Sequence, residues 1–441
     1  MDTFFLVTLG YWSVAACGIV FAMSRFRRFV ERETAHDIVP NGSAGISADG
    51  TWPEVAVVMS LRGGDDSLRR TLDGLAAQDY PNYRVRLVVD HPHDEVDPII
   101  RSWLRAHPGA PVSVEYLREP LPSTTLKCSS VHQVLRELGP EVGIVVLVDA
   151  DSDPYPKWLR DVVAPFARED VGGVTGNRWY FPREGGIASW VRFVFTAFSL
   201  PSMWMKRHSW GGTLALRAEI ARSPEFLNAF AQTPTEEQTC FEYLPKLGLR
   251  MHFAPQLIQW NPESVDFAGA ETHMFRQLTW SRLFYPNWAL LVVGTFAMAA
   301  AAGSSLWFAA QAFAEERLLW ILPLALMTLF CAAITSSLVR LHQMLQASVF
   351  ARQGRSLPWF DGARILDLLI ALPCTLGIFA KAIVRAHFAS ELEWRGITYR
   401  IFSDDTIRMA GYVPWKSPAS KRTRIRVRPA RPASLDRHVT N

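Results

Sequence analysis

Apolar and polar positions divide this chain into stretches without any charge and a middle region where short apolar runs alternate with amphipathic ones. Residues 3–23, 287–314 and 318–339 contain no Asp, Glu, Lys or Arg. Each reaches the roughly 20 residues that a helix needs to cross a bilayer. Globular helices rarely lack charge on every face, so all three are predicted to span a membrane. A fourth stretch, Ile365–Val384, is interrupted by Asp367, Pro373 and Lys381. Its pattern suits either a span or a helix lying in the interface.

From residue 52 to 285 the pattern changes. Val55–Ser60, Val85–Val89, Val112–Leu117 and Ile144–Val148 read as strands buried on both faces. Ser67–Gln78, Val96–His107, Leu126–Leu138 and Pro156–Phe166 read as helices between them. Leu68, Leu72 and Leu75 give the first its apolar face, and Asp79-Tyr80-Pro81-Asn82 stops it. Such alternation predicts an α/β fold, a mostly parallel sheet with helices on both faces, flanked by N-terminal and C-terminal transmembrane helices.

Charge orients these pieces. Arg25, Arg27 and Arg28 follow the first apolar run and no basic cluster precedes it, which favours an uncleaved anchor with its C-terminal flank in the cytoplasm. The second span then leads out and the third returns. Glu315 and Glu316 lie in the outer loop, whereas Arg340, Arg352, Arg355 and Arg364 suit the inside. From Pro414 onward there are eight Lys or Arg against one Asp. A cytoplasmic tail requires that 365–384 does not cross, so it is expected to be re-entrant or interfacial. The expected organisation is an anchor (1–28), a linker (29–51, Gly- and Ser-containing from 35), a cytoplasmic catalytic domain (52–285), two spans (286–340), a loop with the interfacial helix and a tail motif (341–400), and a basic tail (401–441). The net charge of +4 is small and gathers beside the apolar segments, so no nucleic-acid partner is expected. Cys17, Cys128, Cys240, Cys331 and Cys374 have no metal-ligand spacing and fit a reducing compartment without disulfides.

The candidate chemistry sits at strand ends. Asp149-Ala150-Asp151 follows Ile144–Val148 directly, and Asp90 follows Val85–Val89. Ligands of open α/β sheets bind at the carboxyl ends of strands. Carboxylates are hard oxygen ligands for Mg²⁺ or Mn²⁺, which bridge to phosphates. Gly211-Gly212 precedes an apolar run and suits either a tight turn or close backbone approach to a ligand. Thr235-Glu236-Glu237-Gln238 reads as an N-cap with two acidic residues in the first helical turn, or as a source of carboxylates for a pocket. Neither a Walker-type loop nor Gly-x-Gly-x-x-Gly occurs.

These pieces, in this order, resemble glycosyltransferase family 2 with the Rossmann-like GT-A fold, and most of all its ceramide glucosyltransferase-like, membrane-bound branch. The resemblance runs through Val57–Gly63, Gln78-Asp79-Tyr80-Pro81, Val88-Val89-Asp90, Leu126-Lys127, Val148–Ser152, Gly212–Arg217, Thr235-Glu236-Glu237, Leu247–Arg250 and Trp394–Arg400. It implies that Asp90 contacts the uracil or ribose of a UDP-sugar. Asp149 and Asp151 would hold the ribose and a divalent cation, with Asp151 the more direct metal ligand. Lys127 and Glu236 belong to the donor-binding set. Glu237 would deprotonate the acceptor hydroxyl. Arg276 and Trp280 match the ends of a Gln/Arg-x-x-Arg-Trp motif near acceptor and diphosphate. The implied reaction is inverting, metal-dependent transfer of a sugar from a nucleotide-sugar to a membrane lipid hydroxyl at the cytoplasmic face. A processive polysaccharide synthase and a catalytically silent scaffold are the alternatives. Two positions depart from the pattern: Glu237 stands where Asp is usual, and Thr279 where Arg is usual. Trp190, Phe193, Phe195, Phe198, Trp204 and Trp210 offer either an acceptor surface or core.

Overall fold

The computed structural model describes residues 3–35, 52–64 and 67–415. Seven strands form the central sheet: β1 (Glu54–Leu61), β2 (Tyr83–Val89), β3 (Val112–Tyr116), β4 (Val142–Val148), β5 (Val171–Trp179), β6 (Thr213–Arg217) and β7 (Arg250–Trp260). Their order is β3-β2-β1-β4-β6-β5-β7. All neighbours run parallel except β6, which is antiparallel to both β4 and β5. The predicted strands thus form one half of the sheet, with ends within two residues of those expected.

Helices cover both faces, which explains why the strands read as continuous apolar runs. On one face lie α2 (Leu68–Ala76), α3 (Val96–Ala106) and α5 (Trp158–Val163), packing Leu68, Leu72, Trp103 and Trp158 onto the sheet. On the other, α4 (Leu126–Leu135), α7 (Ala218–Ala221), α8 (Pro224–Phe230) and α9 (Glu236–Tyr243) contribute Val131, Ala221, Phe226 and Cys240. A third core is aromatic. Trp190 and Phe193 of α6 (Ile187–Lys206) meet Trp179, Phe181 and Phe253 there. This core joins the sheet to the long C-terminal helices.

Those helices are α10 (Phe267–Phe284), α11 (Trp288–Ala314), α12 (Leu322–Leu345) and α13 (Gly362–His387). With α1 (Thr3–Ala35), four described helical segments are long and apolar enough to cross a membrane: α1, α11, 318–350 and α13. Trp12 of α1 donates its indole N–H to Ser305 Oγ of α11 at 2.9 Å, and Thr8 meets Ser304 at 3.1 Å. Such polar contacts between otherwise apolar helices fix their register.

Three boundaries differ from the sequence reading. Helix α1 continues to Ala35, so 29–35 are not linker. The continuation is held by packing on the α/β region: Phe29 stacks on Trp204 at 4.8 Å and Glu33 pairs with Arg168 at 3.3 Å. The remainder of the expected linker, 36–51, lies outside the described residues. Residues 401–415 are not simple tail. They follow β8 (Glu391–Trp394) and β9 (Ile397–Ile401) and include β10 (Ile407–Met409), a small antiparallel sheet that buries Ile397, Tyr399 and Ile407 against Trp280. The turn between β8 and β9 places Arg395 and Gly396 at φ 50° and 71°, the left-handed pair that suits a two-residue hairpin. The basic stretch beyond 415 lies outside the described residues. Finally, α13 is one unbroken helix with Pro373 inside it rather than a re-entrant turn. At its start Arg364 donates to the Arg183 carbonyl (3.5 Å), and near its end Arg282 donates to the carbonyls of Ala386 (2.8 Å) and His387 (2.7 Å). Both ends therefore touch residues of the 52–285 region.

Candidate active site

Strand ends, helix starts and the body of α10, which carries Arg276 and Trp280, bring the sequence-predicted site residues to one cleft. Asp90 follows β2, and Asp149 and Asp151 follow β4. Lys127 lies in the first turn of α4, whose N-terminus is capped by Thr125. Tyr399 of β9 reinforces that turn: its hydroxyl accepts the Leu126 N–H at 3.1 Å. The Trp394–Arg400 motif thereby helps position Lys127. Glu236 and Glu237 open α9, where the Thr235 side chain accepts the Gln238 N–H at 3.3 Å. The cap predicted there is present, and the carboxylates still reach the cleft.

Two adjoining cavities, about 200 Å³ and 370 Å³, share Lys127, Asp149 and Arg276 as walls. Asp90 and Asp151 line the smaller; Glu236, Glu237 and Trp280 line the larger. The carboxylates lining the two are matched by cations. Arg62, Lys127, Arg178, Arg276 and Arg395 stand against Asp90, Asp149, Asp151, Glu236 and Glu237.

Lys127 is the hub of the larger cavity. Its Nζ lies 2.8 Å from Asp149 Oδ1 and 2.5 Å from Glu236 Oε1, and donates to the Gly211 carbonyl at 3.2 Å. Burial alone would lower its pKa, but Asp149, Glu236 and Glu237 hold it well above the ordinary lysine value. Burial likewise opposes ionisation of Asp149, yet Lys127 and Arg178 keep its pKa below the ordinary value. Glu237 is treated differently. Burial and the neighbouring Glu236 push its pKa up to about 7. Its Oε1 accepts the Gly211 N–H at 2.8 Å. A Cβ at Gly211 would stand 2.0 Å from Glu236 Oε1 and 2.8 Å from Glu237 Oε1, so any side chain there would displace both carboxylates. Close backbone approach, rather than a tight turn alone, accounts for that residue.

Several site residues escaped the sequence reading. Arg178 is buried on β5, pairs with both oxygens of Asp151 and lies 3.7 Å from Asp149. It sits in a strand whose nine residues are all buried, which the sequence reading did not identify as a strand. Arg62 follows β1 and pairs with Asp90. Asp90 also receives the Tyr412 hydroxyl at 2.9 Å and the Trp415 N–H at 2.8 Å, and it is 1% exposed. His208, stacked on Phe241 at 4.2 Å, and His273 line the larger cavity, where burial lowers their pKa values to about 4 and about 3. Thr279, the departure from the arginine motif, is fully buried, donates to the Phe275 carbonyl at 2.7 Å and lines neither cavity. Of the aromatics, Phe195 and Trp210 face the larger cavity, whereas Trp190 and Phe193 are core.

Two carboxylates, Asp149 and Asp151, offer hard oxygen donors to a divalent cation at the junction of the cavities. Among the described residues no group of three His, Cys, Asp or Glu gathers for a metal. A pair of carboxylates completed by substrate phosphates is a common Mg²⁺ arrangement, so the donor set fits such an ion.

The cleft lies at the carboxyl ends of β2 and β4, where open α/β sheets bind their ligands. A model of glycosyl transferase family 21 matches residues 10–407, and the chain belongs to that family: it is a glycosyltransferase. This is the ceramide glucosyltransferase-like branch that the ordered motifs resemble. No curated protein matches the chain. Among solved structures it is similar to the Pyrobaculum calidifontis mannosyltransferase PcManGT in complex with GDP-Man and Mn²⁺, at 17% identity and TM-score 0.44, covering 87% of this chain and 99% of that one. It is also similar to M. tuberculosis glucosyl-3-phosphoglycerate synthase (14%, TM-score 0.33, 52% and 78%) and to residues 1–349 of S. aureus TarS (13%, TM-score 0.33, 80% and 97%). The family assignment rests on the family model.

Proposed function

We propose that the protein transfers a sugar from a UDP-linked donor to the hydroxyl of a membrane lipid, in one inverting displacement, with the catalytic region 52–285 on the cytoplasmic face. The observation that carries this reading is the mixed lining of the larger cavity. It is lined by Glu237, Lys127 and Arg276 and also by Phe195, Met203, Phe284 and Leu291. Leu291 belongs to the first turn of α11, a helix apolar enough to span a membrane. A polar headgroup hydroxyl would meet the carboxylate while its apolar chains rest against that helix.

The residues divide the work. Asp90 faces the nucleoside. Lys127, Arg276 and the Asp149–Asp151 pair surround the diphosphate. A divalent ion, Mg²⁺ or Mn²⁺, when held by Asp149 and Asp151, supplies positive charge against the departing diphosphate. Glu237 accepts the proton of the acceptor hydroxyl as the new C–O bond forms and the sugar–phosphate bond breaks, with the electron pair leaving on the diphosphate. A base whose pKa lies near 7 is suited to that transfer at neutral pH. Both ends of α13 touch the catalytic region, which supports its lying along the interface and keeps β8–β10 on the same side as the cleft.

The test is incubation of purified protein in nanodiscs with labelled nucleotide sugars and membrane lipid extract, followed by mass spectrometry. A lipid gaining one sugar supports the reading. A water-soluble polymer would instead favour a processive synthase, and no product or donor hydrolysis under any condition would favour a silent scaffold.

A further inference from the structure

Asp151 is the carboxylate expected to hold a metal most directly, and it already has a cation. Arg178 Nη1 donates to its Oδ2 at 2.6 Å, while Nη2 donates to its Oδ1 and lies 3.7 Å from Asp149 Oδ2. This bidentate geometry is the strongest that a guanidinium makes with a carboxylate. Arg178 has little freedom to leave. Its side chain is 6% exposed, and its guanidinium carbon sits 4.9 Å from the centre of the Trp210 ring.

Charge points the same way. The five carboxylates lining the cavities are at least matched by five cations before any ligand enters. A divalent ion arriving alone would add uncompensated charge to a confined site and compete with a buried guanidinium. A diphosphate arriving with it would cancel that charge and supply the remaining oxygen ligands.

We propose that Arg178 is a positioning residue that holds Asp151 and makes divalent-ion binding conditional on the nucleotide, so that ion and diphosphate enter as a unit. The inference rests on the donor reading above and concerns this chain's own arginine rather than the ion's chemistry. It predicts an unusual gain: removing a buried arginine should strengthen metal binding.

The experiment titrates full-length protein in nanodiscs with Mn²⁺ and reads free Mn²⁺ by electron paramagnetic resonance, without nucleotide and with UDP. Wild type should bind Mn²⁺ about tenfold or more tightly when UDP is present. Without UDP, Arg178→Gln should bind Mn²⁺ about tenfold more tightly than wild type, and adding Asp151→Asn should abolish the gain. Arg178→Lys, which keeps the charge but loses the fork, should gain less and serves if the glutamine variant does not fold. Wild-type Mn²⁺ affinity that ignores UDP, or arginine variants that bind Mn²⁺ no more tightly without it, would overturn the proposal. UDP binding measured calorimetrically separates the two readings. A protein that never binds UDP loses the donor assignment, while the nucleotide-free comparison of variants still judges Arg178.

Discussion

Asp90 is buried and Glu237 half-buried, both are acidic, and the two ends of the cleft treat them oppositely. Arg62, the Tyr412 hydroxyl and the Trp415 N–H take three of the roughly four acceptor positions of the Asp90 carboxylate. Trp415 packs so closely on Gly63 that a Cβ there would approach its ring to 2.9 Å, and Arg62 lies 5.4 Å from the centre of the same ring. Glu237 has the Gly211 N–H and the Lys127 charge in its favour, but burial and its acidic neighbour Glu236 outweigh them, and a cavity lies in front of it. The difference teaches that burial by itself does not define a carboxylate's role. Partners that satisfy a charge make a fixed binding group, and partners that leave it short make a base ready to take a proton.

The largest effect should come from destroying the poised end. Glu237→Gln keeps the shape and loses the base; steady-state kinetics should show kcat reduced about 10²- to 10⁴-fold with UDP affinity unchanged. Loss of UDP binding instead would make Glu237 a donor ligand and erase the contrast. Gly211→Ala should follow, since the added methyl group must displace Glu236 and Glu237. A shift of about 1 Å in a base costs roughly 10²-fold in kcat, with the thermal midpoint little changed. The Asp90 end should respond least. Tyr412→Phe removes one hydrogen bond to Asp90 and leaves it freer for the donor. UDP affinity measured by calorimetry should rise a few-fold, the equivalent of about 1 kcal/mol, with kcat unaffected.

The half of the sheet formed by β1–β4 was legible because those strands are short apolar runs punctuated by turns, whereas β5–β7 were not read from the sequence. Asp90 and Asp149 were legible for the same reason, since each ends such a run. What the sequence hid is long-range. Arg178 reaches Asp151 across 27 residues, and Trp415 reaches Asp90 across 325. No local pattern encodes those meetings. The role of Gly211 was half visible, because paired glycines announce close approach but not what approaches. Residues 29–35 and 401–415 were misread since their order comes from packing on the catalytic region, not from their own composition. Thr279 read as a lost cation in the cleft, but its side chain points into the core.

The pH dependence of kcat/KM for lipid glycosylation tests the contrast between the two ends most directly. Glu237 must be ionised to accept a proton, and its pKa is raised to about 7. Activity should therefore be full above that value and fall about tenfold per pH unit below it, and this acid limb should be missing from the residual rate of Glu237→Gln. A profile that stays flat down to the ordinary carboxylate range of about pH 4, or an acid limb that survives in Glu237→Gln, would contradict the assignment of Glu237 as the base.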